Sequence, residues 1–279
     1  MEIINSAREA SSPSLNDSVV GDLRLHEFSS RIFNNRRMLR VWLPPGYEDS
    51  ENKGRHYPVF YLNDGQNLFD RATAFGGVEW QVDETADRLI REKKIPPLII
   101  VGIDHAQKDR IREFLAYRSM NPPVLRPLGK RYPEFLLSEV VPFVGQHYRI
   151  ARGPENTGLG GSSMGALVSL YTVIDRPGIF GRLLLESPSL FVCNRRMLKY
   201  SHAFRHWPER IFLAMGTREA GREDKDQQVV EDVRELERIL RREGLRDDRL
   251  RVKIEEGATH SEAEWARRFP EALTFLFSL

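Results

Sequence analysis

Gly161-Ser162-Ser163-Met164-Gly165 is the stretch that decides how this chain is read. It has the form Gly-x-Ser-x-Gly and lies between a strand-like segment, Thr157–Ser162, and a segment with helical patterning, Met164–Ile174. A serine between strand and helix in this pattern sits on a strained turn with its hydroxyl exposed above a sheet. Glycine is needed on both flanks because a Cβ there would meet the neighbouring strand or helix. Only one frame fits, since Ser163 has a glycine two residues away on either side, whereas Ser162 is followed at that distance by Met164. Ser163 is therefore a candidate nucleophile. A carboxylate and then a histidine should follow it, each just after a strand.

Outward from the pentapeptide, strands alternate with helices. Arg37–Leu43 and Tyr57–Asn63 read as strands joined through the turn Pro44-Pro45-Gly46, with a helical pattern at Trp80–Glu92. Leu98–Asp104 is a continuous apolar run of the kind buried on both faces. Pro133–Tyr148 reads as helix, Arg182–Glu186, Ile211–Met215 and Leu250–Glu255 as strands, and Asp226–Arg242 and Ser261–Phe277 as helices. This alternation predicts an α/β fold with a mostly parallel central sheet and helices on both faces. In that architecture the working residues gather at the carboxyl ends of the strands.

Two later segments supply what Ser163 requires. The strand at Ile211–Met215 runs into Gly216-Thr217-Arg218-Glu219, and the one at Leu250–Glu255 runs into Gly257-Ala258-Thr259-His260. A serine hydroxyl is a weak nucleophile, so His260 would take its proton and return it to the leaving group, while Glu219 would orient the imidazole. Asp224 and Asp226 lie close after Glu219 and remain alternatives for the acid. Ser261-Glu262-Ala263-Glu264 has the pattern of a capping box that would start the last helix and fix where His260 points.

The oxyanion formed during attack needs two donors. One should be the backbone N–H of Met164, and the other that of Gln66, in Asp64-Gly65-Gln66-Asn67, where Gly65 lets the backbone approach closely. Phe69, Phe75, Trp80, Phe191 and Trp265 are candidates for an acyl or aryl pocket. The stretch from His105 to Arg131 carries Lys108, Arg110, Arg112, Arg118, Arg126, Lys130 and Arg131 against Asp109 and Glu113. It follows a strand end, so His105 and Arg110 could rim the cleft and contact an anionic substrate; a solvated basic loop is the other reading.

Composition narrows the classes. With 42 basic and 40 acidic side chains the formal charge is +2, which gives no case for a nucleic-acid partner. A single cysteine, Cys193, excludes an intramolecular disulfide and a cysteine-based zinc cluster. No metal is expected at His105, which lacks a second ligand at suitable spacing, and no Walker or dinucleotide glycine motif is present, so no cofactor is expected. No stretch approaches the ~18 apolar residues that span a membrane, and Met1–Gly21 is polar without a signal-peptide core, which argues for a cytoplasmic protein. At 279 residues and 41% hydrophobic content the chain can bury one large core. The expected organisation is a polar N-terminal segment, 1–25, that could be flexible, and a single catalytic domain, 26–279.

These residues together give the chain a resemblance to a known family. Leu43-Pro44-Pro45-Gly46-Tyr47, the run from Tyr57 to Asn67, Gly160-Gly161-Ser162-Ser163-Met164-Gly165-Ala166, Glu186-Ser187-Pro188-Ser189 and Gly257-Ala258-Thr259-His260-Ser261-Glu262 resemble the putative-esterase (esterase D-like) α/β hydrolases. That family includes feruloyl and acetyl-xylan esterases, enterochelin esterases, S-formylglutathione hydrolases and mycolyltransferases. The resemblance runs from about Arg37 onward and implies an α/β-hydrolase fold, with Ser163, Glu219 and His260 as the triad and Gln66 and Met164 as the oxyanion hole. Enterochelin-esterase-like members can depart from the full triad, which leaves the acid open. The extra N-terminal domain of some siderophore esterases and the secretion signal of many cell-wall esterases are not expected here. The implied activity is that of a serine carboxylesterase on a small-molecule ester of aryl, feruloyl or siderophore type. An acyltransferase on the same triad and a catalytically silent binding module are the alternatives, and the oligomeric state is not legible.

Overall fold

The computed structural model describes residues 18–278. Strands β1 (Asp22–Ser30) and β2 (Asn35–Leu43) form an antiparallel hairpin. Then follow β3 (Val59–Asn63), α1 (Val82–Arg91), β4 (Ile99–Ile103) and the short α2 (Arg110–Phe114). A small ribbon of β5 (Ser119–Met120) and β6 (Pro123–Val124) leads to α3 (Tyr132–Phe135), which continues through a π-helical turn, Leu136–Val140, into α4 (Val141–His147). The remainder alternates as β7 (Thr157–Ser162), α5 (Ser163–Asp175), β8 (Arg182–Glu186), α6 (Val192–Ser201), β9 (Arg210–Arg218), α7 (Glu223–Arg242), β10 (Leu250–Thr259) and α8 (Glu262–Phe277).

The main sheet has eight strands in the order β1-β2-β4-β3-β7-β8-β9-β10, antiparallel at β1, β2 and β4 and parallel from β4 through β3 to β10. This is an α/β-hydrolase sheet. Side chains alternate across it with period two. Val59, Tyr61, Ile99, Val101, Leu183, Leu185, Ile211 and Leu213 point to the core shared with α3 to α7. Phe60, Leu62, Ile100, Leu184, Phe212 and Ala214 point to a second core closed by α1 and α8. Burial on both faces explains why these strands are uniformly apolar.

Several expectations shift. The strands at 37–43 and 57–63 follow one another along the chain, and β4 is inserted between them in the sheet. The polar segment expected at 1–25 falls mostly outside the described residues, and Asp22–Leu25 belong to β1. That strand escaped the hydrophobic pattern because two of its inward positions are polar. His26 Nε2 lies 2.6 Å from the Tyr148 hydroxyl, and Ser30 Oγ donates to Glu139 Oε2 at 2.7 Å. Ser261 does precede the last helix in extended backbone, but its side chain makes no cap hydrogen bond and Glu264 turns to Arg267 instead, so the expected capping box is not formed.

Candidate active site

β3, β7 and β8 are adjacent in the sheet, and each is followed directly by a non-glycine residue with left-handed backbone: Asp64 at φ 60°, Ser163 at 54° and Ser187 at 43°. Such conformations cost of order 1–3 kcal/mol each and persist where surrounding structure imposes them. At Ser163 the constraint is visible. A Cβ on Gly161 would come within 3.1 Å of Asn63 Cβ, and one on Gly165 within 3.0 Å of Asp64 Oδ2. Asn63 Nδ2 also donates to Gly165 O at 3.1 Å and to Ser169 Oγ at 2.8 Å, which ties the end of β3 to the start of α5.

The ends of β9 and β10 bring Glu219 and His260 to this turn. His260 Nε2 lies 2.9 Å from Ser163 Oγ, and His260 Nδ1 is hydrogen-bonded to Glu219 Oε2. The other carboxylate oxygen of Glu219 accepts from the Gly216 N–H at 2.6 Å and the Ser187 hydroxyl at 2.8 Å. The Glu219 side chain is 3% exposed and that of His260 35%, so the acid is shielded while the imidazole opens to the cleft. Burial works against the charge on Glu219, yet the contacts with His260, Gly216 and Ser187 prevail and hold its carboxyl below the usual range. Asp224 and Asp226 are engaged elsewhere, with Arg222 and with the Ala220 N–H. Ser189, which the sequence reading left without a role, sets its hydroxyl 3.2 Å from Ser163 Oγ.

A cleft of about 350 Å³ opens over Ser163, walled by Gln66, Phe75, His105, Arg110, Glu262 and Trp265 among others. Gly65 packs against β4 so closely that a Cβ would lie 2.5 Å from the Gly102 carbonyl carbon, which seats the next residue, Gln66, at the cleft. The Gln66 side chain is fixed by the His105 N–H at 3.3 Å and its carbonyl by Thr73 Oγ1 at 2.7 Å. Met164 lies in the first turn of α5, where backbone N–H groups have no partner within the helix. Trp265 is packed edge-on against His260 with ring centroids 5.0 Å apart.

Other pocket candidates are placed differently. Phe69 and Trp80 are buried in the core between α1, α8 and the sheet, because their large apolar surfaces close that layer, and they do not line the cleft. Phe191 is exposed outside the cleft lining, whereas Phe75 is exposed at its edge. Arg110 does line the cleft, but Nε and Nη2 are both committed to Asp64. Glu262, next to His260, hydrogen-bonds Asn67 Nδ2 at 3.2 Å, and burial raises its carboxyl above the ordinary range. Burial likewise lowers His105, opposed by the nearby Asp64 charge. Among the described residues one set of acids, Glu79, Asp83 and Glu84, brings oxygens within 4.8 Å of one another; it lies at the start of α1 and does not line the cleft.

Comparison with known proteins places this geometry in context. The family described as putative esterase matches residues 29–276. A Bacillus subtilis relative, uncharacterized protein YbbA, is 24% identical over 263 residues, covering 92% of this chain and 96% of its own. Among solved structures, the siderophore hydrolase EstB from Aspergillus nidulans aligns with TM-score 0.70 and 18% identity over 94% of this chain and 96% of its own. The enterobactin esterase FES from Shigella flexneri aligns with TM-score 0.73 and 18% identity over 95% of this chain and 61% of its own.

Proposed function

Since the chain belongs to the putative esterase family, whose members act on esters, we propose that it is a serine carboxylesterase working through an acyl-enzyme at Ser163. The observation that carries this reading is the continuous contact from Glu219 through His260 to Ser163, with Nε2 2.9 Å from the serine oxygen. That separation is within direct proton-transfer reach.

In the proposed reaction His260 Nε2 takes the Ser163 proton as Oγ attacks the ester carbonyl. Glu219, through Oε2, holds the Nδ1–H tautomer and balances the imidazolium charge. The main-chain N–H groups of Met164 and Gln66 receive the developing oxyanion. On collapse the C–O bond to the alcohol breaks and His260 returns its proton to that oxygen. A water, deprotonated by the same imidazole, then attacks the acyl-enzyme, releasing the acid and restoring Ser163. No step calls on a metal or a nicotinamide.

The exposed Phe75 and the Trp265 wall favour an acyl or alcohol part with an aryl ring, as in feruloyl or catecholate esters. The siderophore hydrolase and enterobactin esterase among the structural neighbours are consistent with that class. Among the described residues no helix is long and apolar enough to cross a membrane, and a cytoplasmic site of action remains part of the proposal. Hydrolysis of p-nitrophenyl acetate tests the reading: Ser163→Ala should lose turnover by about a thousandfold or more. Retention of more than a few per cent would remove Ser163 from the reaction. Product analysis with added acceptor alcohols separates hydrolysis from acyl transfer.

A further inference from the structure

The proposed reaction leaves the segment that closes β8 and follows it, Glu186-Ser187-Pro188-Ser189, without a part. Ser187 is 1% exposed, and its N–H donates to Ala214 O on β9 at 2.7 Å. Its hydroxyl lies between two groups that fix its direction. The Trp265 indole N–H, 3.0 Å away, can only donate, so Ser187 Oγ accepts from it and gives its own proton to Glu219 Oε1 at 2.8 Å. Together with the Gly216 N–H at 2.6 Å this gives Oε1 two donors and leaves Oε2 to His260. A carboxylate bonded in this way cannot rotate about its axis without breaking a charge-assisted hydrogen bond.

The backbone adds a second observation. Ser187 has φ 43°, a conformation that glycine would adopt without strain. A serine there keeps the strain, and what it gains over glycine is the hydroxyl that Glu219 and Trp265 share. Trp265 couples the arrangement to the base, since its ring also meets His260 edge-on at 87°.

We propose that Ser187, held by Trp265, is a positioning residue for this esterase: it locks the Glu219 carboxylate so that one oxygen is reserved for His260. The inference rests on the triad reading above. The other charged groups facing the pair are Glu186 with its partner Arg268, and Glu262 with Asp64 and Arg110 beyond it. None of these is altered in the experiment.

Ser187→Ala and Ser187→Gly both delete the hydroxyl but differ in backbone strain, so the glycine variant should be the more stable of the two. Each is compared with wild type and Ser163→Ala on p-nitrophenyl acetate, across pH, with Tm recorded in parallel. We expect both to lose kcat by about 10–100-fold with KM changed by less than about twofold. A carboxylate with one donor fewer carries a more concentrated charge and holds the imidazolium more tightly, so the acid limb of kcat should move up by roughly half a pH unit. Trp265→Phe, which keeps a ring and removes the N–H, should lose about 3–10-fold. The proposal is overturned by wild-type kcat in both Ser187 variants while Ser163→Ala is inactive. It is equally overturned by losses that follow Tm with an unmoved acid limb. Absence of Ser163-dependent activity in wild type would overturn the triad reading, and this inference with it.

Discussion

Arg110 sets Nε and Nη2 each 2.7 Å from one oxygen of Asp64, so the basic segment after β4 is bound to the turn after β3. The sequence suggested a guanidinium available to an anionic substrate. The structure gives its paired donors to a buried carboxylate of the protein, and the guanidinium also lies over the Phe114 ring. Arg110 therefore braces the loop that carries Gln66 while still lining the cleft.

From this pairing Arg110→Ala should lower kcat/KM by about tenfold, and by the same factor for neutral and anionic esters. Steady-state kinetics on p-nitrophenyl acetate and a carboxylate-bearing ester make the comparison. A KM increase confined to the anionic ester would restore a direct contact with substrate.

Glu219→Gln should reduce kcat by about 10²–10⁴-fold, since the amide that replaces Oε1 or Oε2 meets either two donors or the wrong imidazole tautomer. Asp224→Asn and Asp226→Asn should stay within about threefold, because both acids are occupied by Arg222 and Ala220. The opposite ranking would move the acid along the loop. Equal mildness in all three variants would leave a serine–histidine dyad.

A different prediction concerns stability. Burial, reinforced by the neighbouring Glu84 carboxyl, raises the Asp83 carboxyl to about 9, and burial raises that of Glu79 to about 7. An acid whose folded pKa is raised favours the fold in its protonated form. Its contribution is complete below the unfolded value near 4 and is lost as pH rises through the folded one. Asp83→Asn, which cannot ionise and can still accept from the Val20 N–H, should therefore raise Tm by about 2–4 °C near pH 9 and change it little near pH 5. Thermal melts at the two pH values check this, and a variant less stable at both would contradict it.

Much of this arrangement was legible in the sequence because its signals are local. Gly161 and Gly165 flag the turn at Ser163, the apolar run before Glu219 places it at the end of the buried strand β9, and the alternating pattern of Leu250–Glu255 places His260 after the edge strand β10. What escaped depends on contacts distant along the chain. β1 hides its pattern behind His26 and Ser30, whose partners Tyr148 and Glu139 lie more than a hundred residues away. α6 begins with left-handed backbone at Cys193, Asn194 and Arg195, which no helical periodicity announces. Phe69 and Trp80 look like pocket aromatics until α8 is seen to pack over them. The pairing of Arg110 with Asp64 and of Ser187 with Trp265 spans 46 and 78 residues, so nothing in the local sequence marks either.

Covalent acylation of Ser163 is the event that separates acyl-enzyme catalysis from every other reading of this site. Intact-protein and peptide mass spectrometry after brief reaction with a fluorophosphonate, or after acid quench during turnover of a slow p-nitrophenyl ester, reads this directly. One adduct per chain is expected, on the peptide containing Ser163, absent in Ser163→Ala and retained in Ser162→Ala. An unmodified chain, or an adduct on any other residue while esterase activity persists, would contradict it.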